Sequence, residues 1–129
     1  MNTESILADL HSHTTASDGL LSPSELVARA LEKGVQMLSI TDHDTVDGLA
    51  DAHLFNRQQS EPLMLIDGTE ISTRWNNFDI HIVGLNIDRT QPELLAFLSS
   101  QRELREVRAQ EIGVRLAKAG IDGAYEGAK

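Results

Sequence analysis

Four short apolar runs separated by helix-patterned segments constrain this chain more than anything else in it. Ile6–His11, Met37–Ile40 and Leu63–Ile66 read as buried strands, and Phe78–Val83 as a strand with period-two alternation. The first helix carries its own punctuation. Ser22 is a candidate N-cap, Pro23 takes the first helical position, Glu25 completes a capping box and Gly34 is the expected stop. Leu26, Val27, Ala30 and Leu31 form its apolar stripe. A second helix is expected from a cap at Asp44 or Thr45 to about Asn56. A long third helix is expected from about Pro92 to Lys118, with Gly113 a candidate bend, and Gly120, Gly123 and Gly127 end the pattern. Alternating strands and helices predict a parallel α/β fold. A closed barrel of this kind takes roughly 250 residues. The 129 residues are therefore read as a small open α/β domain or as the first half of a barrel. The second reading is preferred, because the chain stops after a long helix with no further strand.

Composition narrows the chemistry. Hydrophobic residues make up 40% of the chain but aromatics only 4%, so aliphatic side chains must fill the core. Cysteine is absent, which removes disulfides, thiolate metal sites and cysteine nucleophiles together and fits a reducing cytoplasm. Neither a basic-then-apolar leader nor a bilayer-length apolar run is visible, so a cytoplasmic protein without membrane association is expected. The net charge of −9 argues against a generic basic groove for nucleic acid. It does not argue against anionic substrates, because bound divalent metals reverse the sign locally.

Each strand-like run ends in polar groups. Asp9-Leu10-His11-Ser12-His13, Thr41-Asp42-His43-Asp44, Gly68-Thr69-Glu70 and Asp79-Ile80-His81 bring imidazoles and carboxylates to strand ends, the donors that hold catalytic divalent metals. His11 and His13, two residues apart, point to one face of a strand and can reach one ion. Asp9 shares that face and is expected to orient a ligand histidine through its second ring nitrogen. His43 reads as a ligand, with Asp42 supporting it. Asp44 has the simpler reading of a helix cap, and Asp18 in Ser17-Asp18-Gly19 that of an Asx turn. A buried carboxylate at Glu70 needs a cation, which makes it a natural bridge between metals. His81 alone is weak evidence, since histidines are common on strands, and His53 is given no role. The arginines and glutamates of the long helix, Arg102, Arg105, Arg108 and Arg115 among them, read as a solvated mixed-charge face. A subsidiary reading sends one or two of the arginines to substrate phosphates.

Taken together, Asp9–His13, Ser17-Asp18-Gly19, Ile40–Asp44, Gly68–Ser72 and Ile80–Gly84 resemble the PHP (polymerase and histidinol phosphatase) family. Within it, the run from Glu70 through His81 to Asp88 and the helix after it are similar to a branch of 5′-3′ exoribonucleases and nucleoside 3′,5′-bisphosphate phosphatases. The resemblance implies the N-terminal half of a distorted (β/α)7 barrel, so that residues 1–129 form the N-terminal portion of one domain. It implies a metal-dependent phosphoesterase that hydrolyses 5′ phosphates or phosphodiesters of nucleotides or RNA with two or three Mn, Fe or Zn ions. Glu70, His43 and Asp18 would be catalytic. His11, His13 and Glu70 would bind the first metal, Glu70 and His81 the second, and Asp18 and His43 the third. The family's later Ala-His-Pro and Asp-x-His motifs have no counterpart here, so each metal lacks at least one ligand. An amidohydrolase-type barrel, which also uses HxH on its first strand, and a histidinol-phosphate-type phosphatase are the rival enzymes. A catalytically incomplete fragment that binds metal or self-associates is the rival outside catalysis.

Overall fold

The computed structural model describes residues 5–120; Gly123 and Gly127 lie outside that range. Four strands form one sheet in the order β1 (Ala8–Asp9), β2 (Met37–Ile40), β3 (Met64–Trp75), β4 (Phe78–Leu85). The helices are α1 (Pro23–Glu32), α2 (Leu49–Arg57) and α3 (Pro92–Lys118). β1, β2 and β3 run parallel, joined by α1 and α2 as crossovers. The α/β class and the three helices are therefore as the alternation predicts. Among the described residues no helix is long and apolar enough to cross a membrane.

The strongest local signals hold. Ser22 accepts a hydrogen bond from the Glu25 amide at 3.2 Å, and the Glu25 carboxylate accepts one from the Ser22 amide at 3.2 Å. Val27 and Ala30 face the core, with Leu26 and Leu31 packed against it. Gly34 takes φ 79°, the left-handed stop. Leu38, Ile40, Leu49, Ala52, Leu63 and Leu98 complete an aliphatic core between sheet and helices. α3 runs unbroken through Gly113. Leu98 is its one fully buried described residue, whereas Leu104, Val107 and Ile112 stay largely exposed.

Three expectations need correction. The first strand is not buried: only Ala8 and Asp9 join the ladder and both are exposed, and among the described residues β2 is their one partner. α2 begins at Leu49 after Gly48, with no side-chain cap. Asp44 has φ 53°, a left-handed turn incompatible with the extended N-cap conformation, and Thr45 instead accepts from the Asp47 amide at 3.1 Å. The sheet is not wholly parallel, since β4 pairs antiparallel to β3 from Gly68↔Leu85 to Trp75↔Phe78. The connection is the two-residue turn Asn76-Asn77, with φ of 49° and 65°. Such a turn suits a hairpin and is far too short for a parallel crossover.

Candidate metal centre

The parallel register Ile40↔Asp67 continues past the end of β2 as a bridge His43↔Glu70. The Glu70 amide donates to the Asp42 carbonyl at 3.0 Å, and the Asp44 amide donates to the Glu70 carbonyl at 2.9 Å. These backbone bonds set His43 beside Glu70. Gly68, one step below, must be glycine: a Cβ there would lie 2.6 Å from Ser39 Oγ and 2.9 Å from both the Gly84 carbonyl oxygen and Thr41 Cγ2. On the other side of β3, Ser72 pairs with His81. Residues two apart on a strand share a face, so His81 stands on the face that carries Glu70.

Glu70 is the centre of the arrangement. Its side chain is 8% exposed, and its two oxygens lie 3.1 Å from His11 Nε2, 3.4 Å from His13 Nε2 and 3.0 Å from His43 Nδ1. Asp18, in the loop after β1, lies 3.2 Å from His43 Nε2 and 3.8 Å from His13 Nδ1. The His13 and His43 rings stack at 4.5 Å and 8°. His11 meets His13 edge-on at 5.1 Å, and His81 meets His43 edge-on at 5.5 Å. Three triads therefore share members: His11–His13–Glu70, His13–Asp18–His43 and His43–Glu70–His81. Within each, one donor atom per residue lies within 4.8 Å of the others. All six residues singled out from the sequence come together. His81 comes from the middle of the antiparallel strand rather than from a parallel strand's end.

The donor set fits divalent cations. His13 Nδ1 and His43 Nδ1 are buried and make no hydrogen bond; the 3.0 Å approach of Glu70 to the latter is out of line for one. Buried ring nitrogens without partners are costly. A cation among them would satisfy imidazole and carboxylate lone pairs at once, and this donor mixture is one that Mn, Fe and Zn accept.

The supporting carboxylates act differently from expectation. Asp9 does not reach a ring nitrogen; its Oδ1 accepts from the His11 backbone amide at 3.3 Å, shaping the strand end. Asp42 touches no imidazole either. It accepts from the Thr14 amide at 2.6 Å, from Thr14 Oγ1 at 2.7 Å and from Ser17 Oγ at 2.7 Å. It therefore fixes the loop that runs from His13 to Asp18. Gly19 closes that loop, and a Cβ there would lie 2.3 Å from the His13 carbonyl oxygen.

Sequence reasoning missed two groups. Asp44, read as a cap, is fully buried, and its carboxylate accepts from the Ser72 amide at 3.0 Å and from Arg105 at 3.2 Å. Arg102 donates to its carbonyl at 2.8 Å. These arginines therefore reach into the site's support instead of forming only a solvated face. His53, given no role, sits 2.6 Å from Asp67, which also meets Arg89 at 3.5 Å; this group ties α2 and the β4–α3 loop to β3. The left-handed Asp44 was the signal that spacing alone does not reveal.

Residues 9–119 match the PHP domain family. The chain is 54% identical over 121 residues to a 5′-3′ exoribonuclease of Haemophilus influenzae, an alignment taking in 94% of this chain and 43% of that protein. It is 55% identical over 124 residues to the 5′-3′ exoribonuclease Rnm of Escherichia coli, with 96% and 42% covered. It is 42% identical over 120 residues to a 3′,5′-nucleoside bisphosphate phosphatase of Chromobacterium violaceum, with 93% and 41% covered. The chain thus spans less than half the length of these relatives. Among solved structures, a Chromobacterium violaceum amidohydrolase with bound sulfate and no metal superposes with a TM-score of 0.84 at 41% identity, over 94% of this chain and 42% of that one. A Bifidobacterium adolescentis protein considered a metal-dependent phosphoesterase gives 0.78 at 28% identity, over 89% and 40%.

Proposed function

We propose that this chain, which belongs to the PHP domain family, carries the first portion of the active centre of a metal-dependent phosphoesterase. Its substrates are phosphate esters of nucleotides or RNA, in the manner of the nucleoside 3′,5′-bisphosphate phosphatases and 5′-3′ exoribonucleases that it resembles. The observation that carries this reading is Glu70, one buried carboxylate with nitrogens of three histidines within 3.4 Å. A carboxylate so placed is suited to bridging two cations.

In this reading His11, His13 and Glu70 hold one ion. Glu70 and His81 hold a second, with His43 Nδ1 turned toward the same carboxylate, and Asp18 and His43 Nε2 hold a third. When bound, such ions supply a hydroxide at neutral pH and offset charge on the phosphoryl oxygens. The chain's own residues do the positioning. Glu70 fixes the spacing between sites, the stacked His13 and His43 rings hold each other's orientation, and Asp18 closes the site on its solvent side. Mn, Fe and Zn all suit the donors, and the absence of cysteine suits a cytoplasmic setting.

The test is calorimetric titration with Mn²⁺, followed by assay on a nucleoside 3′,5′-bisphosphate and a 5′-phosphorylated oligoribonucleotide. The full chain is expected to bind Mn²⁺. Glu70→Gln is expected to weaken binding at more than one site and to abolish hydrolysis wherever hydrolysis is seen. Unchanged Mn²⁺ binding in Glu70→Gln would show that the carboxylate holds no ion and would remove the basis of the reading.

A further inference from the structure

We infer that Asp44 is a positioning residue, linking α3 to the His43–Glu70 pair through Arg105, and that metal affinity depends on this link. The inference rests on the metal-binding reading above. Its geometry is independent of that reading and begins with a ladder that changes its acceptor. At Glu70 the parallel ladder is made by backbone alone, the Glu70 amide donating to the Asp42 carbonyl. The next rung up would run from the Ser72 amide to the Asp44 carbonyl. Instead Asp44 turns left-handed at φ 53°, and its carbonyl swings away to accept from Arg102 at 2.8 Å. Its carboxylate Oδ1 takes the vacated place and accepts from the Ser72 amide at 3.0 Å.

The substitution costs a left-handed backbone and a buried negative charge. Asp and Asn tolerate the first best among non-glycine residues. The second needs a cation, because an uncompensated buried carboxylate is expensive. Arg105 supplies it at 3.2 Å from Oδ2, while the Asp44 side chain is 0% exposed. With its amide on the Glu70 carbonyl, its carboxylate on the Ser72 amide and its peptide joined to His43, Asp44 grips β3 at Glu70 and again two residues on. What holds Asp44 in place therefore holds two of the six proposed ligands relative to each other. α3, a helix with no ligand of its own, becomes part of the site's frame.

Simple electrostatics and positioning predict opposite signs for one substitution. Arg105→Gln removes a positive charge near a cation site. If Arg105 mattered only through its field, Mn²⁺ would bind more tightly without it. If Arg105 holds Asp44, Mn²⁺ binds more weakly, and the loss is about 10- to 100-fold, the usual effect of removing a group that orients metal ligands. The experiment is calorimetric titration of the full chain with Mn²⁺ alone, well below the unfolding temperature. The panel is Arg105→Gln, Asp44→Asn, the double variant, and Arg115→Gln as an equal change of charge farther along α3. Asn keeps the left-handed turn and an acceptor for Ser72, so Asp44→Asn removes the Arg105 partner without breaking the turn; its lost negative charge also weakens binding, so the sign in Arg105→Gln decides. Expected are weaker binding in both single variants, a double variant no weaker than the worse single one, and no weakening in Arg115→Gln. Tighter or unchanged binding in Arg105→Gln overturns the inference and leaves the metal reading standing, as does a double variant whose losses add. Absence of Mn²⁺ binding in the unsubstituted chain overturns both.

Discussion

Asp42 carries a sharp prediction, because its three hydrogen bonds can be accounted for one at a time. Replacing it with alanine strands the Thr14 amide and the Thr14 hydroxyl, on a residue that is 0% exposed. Each buried donor left without a partner costs about 1–3 kcal/mol. Ser17 is only partly buried, so its hydroxyl turns to water and adds little. The expected loss for Asp42→Ala is therefore about 2–6 kcal/mol, a large part of the roughly 5–15 kcal/mol that holds a typical domain folded. Asp42→Asn is a different case. Its amide oxygen can replace Oδ1, which serves both the Thr14 amide and Ser17, and its NH₂ can donate to a Thr14 hydroxyl that rotates to accept. The charge is lost and the Thr14 hydroxyl proton loses its acceptor, at about 1–3 kcal/mol, while the Thr14 amide keeps its bond. Urea unfolding followed by circular dichroism measures both. If alanine cost no more than asparagine, the carboxylate would not be what holds the His13–Asp18 loop, and the assignment of Asp42 to that loop would fail.

Other consequences follow from single contacts. Gly19→Ala pushes a methyl group into the His13 carbonyl, 2.3 Å away, so the loop must open; Mn²⁺ affinity should fall, and an unchanged affinity would show that the loop's exact path is immaterial. Hydrogen bonds from Ser22 hold the Glu25 carboxyl below its ordinary value, the side-chain bond foremost. The depressed folded value means that the capping box contributes fully above the unfolded value and is lost as pH falls through the folded one. Amide exchange in the first turn of α1 should therefore accelerate on acidification, and Ser22→Ala should flatten that dependence. Asn77 sits at φ 65°; valine there should cost about 1–2 kcal/mol, measurable by urea unfolding, whereas glycine should not.

What could be read in the chain beforehand was what local chemistry decides. The Ser22–Glu25 capping box, Pro23 and Gly34 fix α1 through contacts within a few residues, so they are visible without a fold. His11, His13, His43 and Glu70 were legible because imidazoles and carboxylates at the ends of apolar runs have few other uses, whereas Asp18 and His81 became candidates only through the resemblance to the family. The parts misread depend on distant partners. Asp44 looks like a cap until Ser72, 28 residues away, and Arg105, 61 residues away, claim its carboxylate. Asp42 looks like a ligand's partner until Thr14 folds back onto it. The β3–β4 hairpin was legible in Asn76-Asn77, but the expectation of uniform alternation outweighed a turn too short for anything else.

That hairpin explains how His81 enters a site otherwise built from parallel strand ends and loops. Antiparallel pairing places Val83 opposite Glu70 and His81 opposite Ser72, so His81, Ser72 and Glu70 share a face while Ile71, Thr73, Ile80 and Ile82 share the other. Side chains alternate with a period of two, so a slip of one residue in the β3–β4 register would turn His81 away from Glu70 and bring Ile80 or Ile82 toward it. Two features oppose the slip. The two-residue turn admits only one register without a bulge. On the other face, Ile82 stands opposite Ile71, which packs against the core, and the slip would part this apolar pair. The position of a proposed metal ligand thus follows from a turn five residues before it and an isoleucine that never touches the site.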